Sequence, residues 1–508
     1  MSFKPSPYQQ AVFDLVADPN SGSLMVEAVA GSGKTTTIVR SLDRAPRGNI
    51  IMLAFNKSIA TELSSRVPKG VECRTCHSVG FAALRQWAGR RRINVKGNKT
   101  WDLLFNMKRD GVLDKRDISL YGAFVAKMVG LAKSAGMGTD LCENTPESWL
   151  ALVEHHDVTL ASQHADMGKA IDLCDRVLRK GNREWQVIDF DDMLYLPILF
   201  GCTFKRYDLL FIDEAQDTNV LQAAMLEAMM TASARIVFVG DPKQAIYGFR
   251  GADAAAMSRL AEDFDCARLP LSVSYRCSKA VVREAQRYCD QIEAFEGAED
   301  GTVETVHRYT VDTFGHTDAV ICRNTAPLVN LAYSLIGNGV GVRFLGREIG
   351  KGLINLINKL DGGNIDGLMF NLDAWEARET EKAKQKRQES RIQSIEDKAM
   401  CIRVFIRNLS ETRRTIDSLI ADIEDLFAER DGQLLTLCTI HKSKGMEWRR
   451  VFILDQDLMP SKWATRPWMR EQEDNLAYVA ITRAKSRLSY IYSDSWGQDE
   501  SIEVHEGE

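Results

Sequence analysis

The chain has no apolar run approaching the roughly 20 residues that cross a bilayer. Its first residues, MSFKPSPYQQ, lack the basic-then-apolar pattern of a secretory leader. It has no excess of positive charge: 65 Lys and Arg face 70 Asp and Glu, a net charge of −5 over 508 residues. That balance argues against a simple basic protein that coats nucleic acid, though not against an enzyme whose basic groups gather in one groove. Nor is there a paired cysteine framework. The eleven cysteines are an odd number and mostly scattered singly, the usage of reduced thiols. These absences lead us to expect an intracellular, cytoplasmic protein with no membrane partner. At about 150 residues per domain the length suggests three or four domains.

What is present is a series of short, nearly continuous apolar runs: Leu24–Val29, Ile50–Phe55, Leu209–Ile212, Ile236–Val239, Ala319–Cys322, Leu434–Thr439 and Val451–Leu454. Runs without period-two alternation suit parallel strands covered on both faces. Helical patterns lie between them, so the class is α/β with parallel sheets. The strands fall before about residue 245 and after about residue 315, which predicts two lobes. Residues 81–195 are mainly helical and carry Arg85, Arg90, Arg91, Arg92, Lys96 and Lys99, either a solvated helix end or a phosphate-contacting face. Residues 371–430 are densely charged. Ile392, Ile395, Ala399, Ile402 and Ile406 form one apolar stripe, and Ile416, Leu419, Ile423, Leu426 and Phe427 a second. The two stripes predict a helical hairpin, broken near Asn408 with Ser410 as N-cap. The acidic residues 494–508 are expected to be a flexible tail.

Two motifs carry chemistry. After the first run comes Ala28-Val-Ala30-Gly31-Ser32-Gly33-Lys34-Thr35-Thr36, a phosphate-binding loop in which small residues let backbone N–H groups wrap an anion. Its first position is Ala28 where the strict pattern has Gly. Lys34 would reach the β/γ-phosphates of ATP and Thr35 would ligate Mg²⁺. The run Leu209–Ile212 leads into Asp213-Glu214-Ala-Gln-Asp217. There Asp213 would hold Mg²⁺ and Glu214 would deprotonate the attacking water. Gln244, in Gly240–Asp253, could sense the γ-phosphate. The spacing Cys73-Arg-Thr-Cys76-His77 matches haem attachment, but that chemistry needs an exported context.

These motifs, in their order, resemble the superfamily 1 DNA helicases of the UvrD/PcrA/Rep type over nearly the whole chain. Ser6-Pro7-Tyr8-Gln9 resembles the family's adenine-reading motif, Leu53–Lys57 its motif Ia and Thr75-Cys-His77-Ser78 its motif Ib. Leu271–Arg276 resembles motif IV, Thr439–Trp448 motif V and Tyr478–Lys485 motif VI, while Ile188-Asp-Phe-Asp-Asp-Met193 resembles the segment before motif II. The resemblance implies two RecA-like lobes of the P-loop NTPase fold, each with a mainly helical insertion. The first lobe (1A) would be 1–80 with 196–275, and its insertion (1B) 81–195. The second (2A) would be 276–370 with 431–493, and its insertion, a reduced 2B, 371–430. It implies ATP and Mg²⁺ as cofactors, Gln9 and Tyr275 on the adenine, Glu447 on the ribose or coupled to the DNA side, and Arg276 and Arg483 as arginine fingers. It implies Phe55, Asn56, Lys57, His77, Tyr247, Phe249, Arg250 and His441 on DNA.

The expected activity is ATP-driven 3′–5′ movement on single-stranded DNA with unwinding of tailed duplexes, in repair, recombination or replication. The alternative is a motor subunit or protein-displacing remodeller in a repair or phage-defence complex. A protein partner for the acidic tail, a monomer-capable state and nucleoid association when DNA-bound belong to the same expectation. The short second insertion departs from the family's large 2B and puts its duplex-contact role in doubt. Trp463 and Trp468 stand where the family has a strand-separating pin, and with a short acidic tail after motif VI no fused nuclease is expected.

Overall fold

A computed structural model describes residues 3–54, 56–156, 158, 160, 165–246, 256–385, 389–430 and 432–497. Phe55, Tyr247, Phe249 and Arg250, four of the expected DNA contacts, lie outside the described residues, as does most of the acidic tail. The chain divides into two compact units, Met1–Ala28 with Gly33–Leu271, and Val29–Ser32 with Ser272–Glu508. No helix among the described residues is long and apolar enough to cross a membrane.

The first unit is built on six parallel strands: β1 (Leu24–Ala28), β2 (Ile50–Leu53), β3 (Val71–Arg74), β4 (Tyr207–Asp213), β5 (Met230–Gly240) and β6 (Ala267–Leu271). Their order across the sheet is β3-β2-β4-β5-β1-β6. Leu24, Val26 and Ala28 enter one core, and Met25 enters the other. Both faces are therefore covered, which is why these strands read as unbroken apolar runs. The second core extends into the helices Lys99–Arg109, Lys115–Ser134, Pro146–His155 and Met167–Arg183, through Leu104, Val125, Trp149 and Val177. The helical region and the sheet share one core.

The second unit has six further parallel strands: β7 (Thr302–Thr305), β8 (Ala319–Cys322), β9 (Val342–Leu345), β10 (Leu435–Thr439), β11 (Trp448–Leu454) and β12 (Ala484–Ile491). The order is β7-β12-β11-β8-β10-β9. Two six-stranded parallel sheets flanked by helices make an α/β, RecA-like architecture.

The charged stretch differs from a simple hairpin. Helices span Ile365–Gln385 and Glu389–Asn408, and a third spans Ile416–Leu426. Thr415, rather than Ser410, caps the third, its side chain accepting the Ser418 N–H at 3.1 Å. Ser410 instead begins a short 3₁₀ turn, Glu411–Arg413. Ile392, Ala399, Ile402, Leu419 and Ile423 are all buried in the core that includes Val320, Leu437 and Phe452. Asp397 accepts the N–H groups of Thr325 and Ala326 at 2.9 Å and so caps the helix Thr325–Gly337. Part of the charge in this stretch thus joins elements rather than merely solvating a face.

Candidate active site

Strands β4, β5 and β1 are neighbours, so the segments leaving their C-terminal ends emerge side by side, the usual ligand position in an open parallel sheet. From β1 the chain turns through Gly31 and Gly33, both left-handed (φ 73° and 79°). Gly33 is the N-cap of the helix Lys34–Leu42, whose free N–H groups and dipole favour an anion. Lys34 Nζ lies 3.7 Å from Glu214 Oε2. Thr35 and Thr36 are half-buried in the first turn of that helix. Val29–Ser32, including Ala30, Gly31 and buried Ser32, group with the second unit. There the Ala30 N–H donates to the Tyr478 hydroxyl at 2.9 Å, and Gly31 O accepts the Tyr275 N–H at 2.9 Å.

At the end of β4, Asp213 is buried and accepts the Glu214 N–H at 3.0 Å. Burial, and then the adjacent Glu214 charge, pushes the Asp213 carboxyl up to about 7, with Lys34 pulling it down. Glu214 adopts φ 55°, a strained conformation for a side-chain-bearing residue and one found at functional sites. A buried carboxyl next to a lysine at the N-terminus of a helix capped by left-handed Gly33 is a donor set that fits a Mg²⁺–triphosphate.

Sequence reasoning missed the residue that joins the motifs. Gln216 donates to Glu214 Oε2, and its carbonyl oxygen accepts the Asp241 N–H at 3.0 Å. Asp241 is buried and receives the Gln244 amide at 2.6 Å and the Lys243 N–H at 3.0 Å. Burial raises its pKa against the pull of Lys34 and the Gln244 bond. Gly240 is needed for this approach, because a Cβ there would sit 2.5 Å from Gln216 Oε1 and 3.1 Å from the Ala215 nitrogen. Lys34, Glu214, Gln216, Asp241 and Gln244 are therefore one connected polar line. Gln216 stood in the quoted motif, but nothing in its spacing showed that it would turn toward the next strand.

Other expected residues are placed differently. Gln9 is buried. Its amide donates to Thr37 Oγ1 at 3.1 Å, and its oxygen accepts the Ser6 N–H at 3.1 Å, closing a capping box for the helix Pro7–Ala17. In the second unit, Arg276 Nε pairs with Glu447 at 2.6 Å, and Lys485 holds the other Glu447 oxygen at 2.6 Å. Burial raises the Glu447 carboxyl, but the bonds and charges of Lys485 and Arg276 outweigh it and hold it below its usual range. Arg483 is only 1% exposed and donates to Val479 O and Met446 O, both at 2.9 Å. Its setting is internal, unlike that of half-exposed Arg276. Tyr275 is exposed beside Phe295, ring centres 5.2 Å apart.

On the expected DNA side, Asn56 caps the helix Lys57–Ser64, its side chain accepting the Ile59 N–H at 2.9 Å, and Lys57 is exposed. His441 is half-buried on the short helix Ile440–Ser443. His77 is in the first turn of the helix Cys76–Ala88, and burial lowers its pKa. Its ring meets Phe190 edge-on at 6.2 Å, and Phe190 is 62% exposed. Phe190 lay in a quoted segment but was not singled out. Cys73 ends a strand region and Cys76 starts a helix. Burial raises their thiols to about 11 and about 12, so both stay protonated. Of the pin candidates, Trp463 packs on the core and donates to Glu396 at 3.2 Å, while Trp468 is exposed.

The chain is similar to known proteins. The chain is 23% identical over 509 residues to F-box DNA helicase protein 1 of Schizosaccharomyces pombe, covering 92% of this chain and 55% of that protein. It is 25% identical over 303 residues to the ATP-dependent DNA helicase Rep of Escherichia coli, covering 55% of this chain and 42% of Rep. It is 20% identical over 625 residues to DNA helicase II of Haemophilus influenzae, covering 93% and 82%. The chain spans about half the length of most of these relatives. The UvrD-like helicase C-terminal domain matches residues 358–495. The UvrD/REP helicase N-terminal domain matches residues 11–265, half of the chain, and the chain therefore belongs to the UvrD/Rep helicase family.

Proposed function

We propose that this chain is an ATP-driven DNA motor that moves 3′–5′ on single-stranded DNA and unwinds tailed duplex. The observation that carries the reading is the polar line from Lys34 through Glu214 and Gln216 to Asp241 and Gln244. It ties the phosphate loop to the segment after β5, where the family resemblance places DNA-facing residues.

Lys34 and the N–H groups of the loop bind the triphosphate. Thr35 and Asp213 would hold Mg²⁺, which when bound would neutralise charge on the phosphate oxygens. Glu214 takes a proton from the attacking water, and Gln216 orients that carboxylate. Gln244 reports the phosphate state along the same line. Arg276, which pairs with Glu447, would supply the cationic group for the charge that develops at transfer. Tyr275 stacks on the adenine. Phe190 and His77 offer ring faces and edges to bases, a sequence-tolerant mode of single-strand binding. The domain divisions given by the family resemblance are part of this reading.

The test is ATP hydrolysis with and without single-stranded DNA, followed by unwinding of 3′-tailed, 5′-tailed and blunt duplexes. Strong stimulation and unwinding from the 3′ tail are expected. Unwinding from the 5′ tail alone would overturn the polarity. Streptavidin displacement without unwinding would favour the remodeller alternative.

A further inference from the structure

The helix Cys76–Ala88 ends at Gly89 and runs into three consecutive arginines, Arg90, Arg91 and Arg92. All three are exposed, as is Arg85 in the last turn of that helix. None of the four has a carboxylate partner among the described residues. Asp102, the acidic group nearest in sequence, pairs with Lys96 at 3.5 Å, and Glu184, next to Trp185, pairs with Lys180 at 2.9 Å. Lys99, which the sequence placed in the same basic cluster, is instead buried on Asp192 at 2.7 Å. The patch is therefore an arginine patch with its positive charge uncompensated.

Its aromatic residues pack on one another, although Trp87 remains 38% exposed. Trp87 lies face to face with Phe200, ring centres 4.7 Å apart and planes 16° apart, and edge to face with Trp185 at 5.0 Å. The Arg91 guanidinium sits over the Trp185 ring at 4.9 Å and near Trp87 at 5.9 Å. The short pairing of Asn94–Val95 with Val187–Ile188 fastens the arginine turn to the segment bearing Trp185. The patch presents guanidinium groups on a rigid aromatic base, with the Trp87 face already occupied. Such a surface matches phosphates, which arginine binds through its planar fork, and does not require unstacked bases.

We propose that this arginine turn is a docking surface for the phosphate backbone of duplex DNA, an assignment that rests on the DNA-motor reading. It gives the chain a duplex contact on its first unit, in a protein whose second insertion is small for its family.

The test uses the full chain and an Arg90→Glu/Arg92→Glu variant, which leaves Arg91 on the rings. Binding of a fluorescent blunt duplex and of a single-stranded oligonucleotide is followed by anisotropy across a salt series. Each phosphate contact contributes about 0.9 to the slope of log affinity against log salt, so the duplex slope should fall by about two and duplex affinity by about tenfold or more. Single-strand affinity and single-strand-stimulated ATP hydrolysis should be unchanged. An Arg90→Gln/Arg92→Gln variant should show the same loss of slope with a smaller loss of affinity. Unchanged duplex binding, or equal loss for both DNA forms, would overturn the assignment. Absence of DNA-stimulated hydrolysis in the unaltered chain would defeat the motor reading instead, and the anisotropy series would still decide the patch.

Discussion

The side-chain oxygen of Gln216 accepts the backbone N–H of Asp241 at 3.0 Å, while the same side chain's amide donates to Glu214. One amide group thus spans two neighbouring strand ends and touches the carboxylate assigned to water activation. Gln216→Ala should leave the KM for ATP near its original value and lower DNA-stimulated kcat by about tenfold to a hundredfold, the scale of a misplaced catalytic group. Steady-state kinetics with and without single-stranded DNA measure this, and a change confined to KM would contradict it.

Glu214→Gln should retain nucleotide binding and lose about 10²–10⁴ in kcat, the usual contribution of a general base. Lys34→Ala should lose binding as well. Equilibrium binding of a fluorescent ATP analogue separates the two, and a fully active Glu214→Gln enzyme would remove the assigned base.

The two motif arginines should behave differently. Arg276→Ala, at a half-exposed position paired with Glu447, should lose turnover while the melting temperature holds. Arg483→Ala should lower the melting temperature as well, because it empties a buried position and removes the hydrogen bonds that Arg483 donates to the Val479 and Met446 carbonyls. Thermal unfolding of both variants beside their ATPase rates decides this.

Phe190→Ala should weaken single-stranded DNA binding by about 1–3 kcal/mol, the range for one stacked base, with DNA-independent hydrolysis preserved. Half-maximal DNA concentrations for ATPase stimulation provide the readout, and an unchanged value would dismiss Phe190 as a DNA contact.

Beneath Phe190, Lys99 and Lys133 each lie 2.7 Å from Asp192, and Lys133 also lies 2.7 Å from Asp189. Burial raises the Asp192 carboxyl, but the two lysines outweigh it and hold it below the ordinary carboxylate range. Burial likewise lowers Lys99, whereas the two carboxylates around Lys133 leave that amine raised. Asp192→Asn should destabilise the protein by about 3–5 kcal/mol, since it leaves buried cations short of a partner. A depressed carboxyl contributes stability above its ordinary pKa and loses it as pH falls through the folded value. The stability gap between the two proteins should therefore hold from neutrality down to the ordinary carboxylate range and narrow only below it. Denaturant titrations at several pH values would show this, and a gap that closes near pH 6 would contradict it.

Several interior strands were legible because they are covered on both faces: Ile50–Leu53, Ala319–Cys322 and Leu435–Thr439 are apolar throughout or nearly so. The four edge strands, β3, β6, β7 and β9, were not read as strands. Sequences such as Val-Glu-Cys-Arg and Thr-Val-Glu-Thr keep only part of their surface dry and so carry no apolar run. The interior strand β12 also escaped, because Lys485 and Arg487 interrupt it. The site was legible where chemistry is local in sequence, as in Gly31–Thr35 and Asp213–Glu214. It was illegible where partners are distant: Lys99 reads as one more surface cation until the fold brings Asp192 to it from 93 residues away.

That separation bears on synthesis. Lys99 and Lys133 leave the ribosome 93 and 56 residues ahead of Asp192 and Asp189. Until those carboxylates emerge, the helices carrying the two amines have no counter-charge for burial, so the nascent helical region should remain solvated and loosely closed. Its compaction should coincide with the appearance of the segment bearing Phe190, making that short acidic turn the point at which the growing chain commits to its first unit.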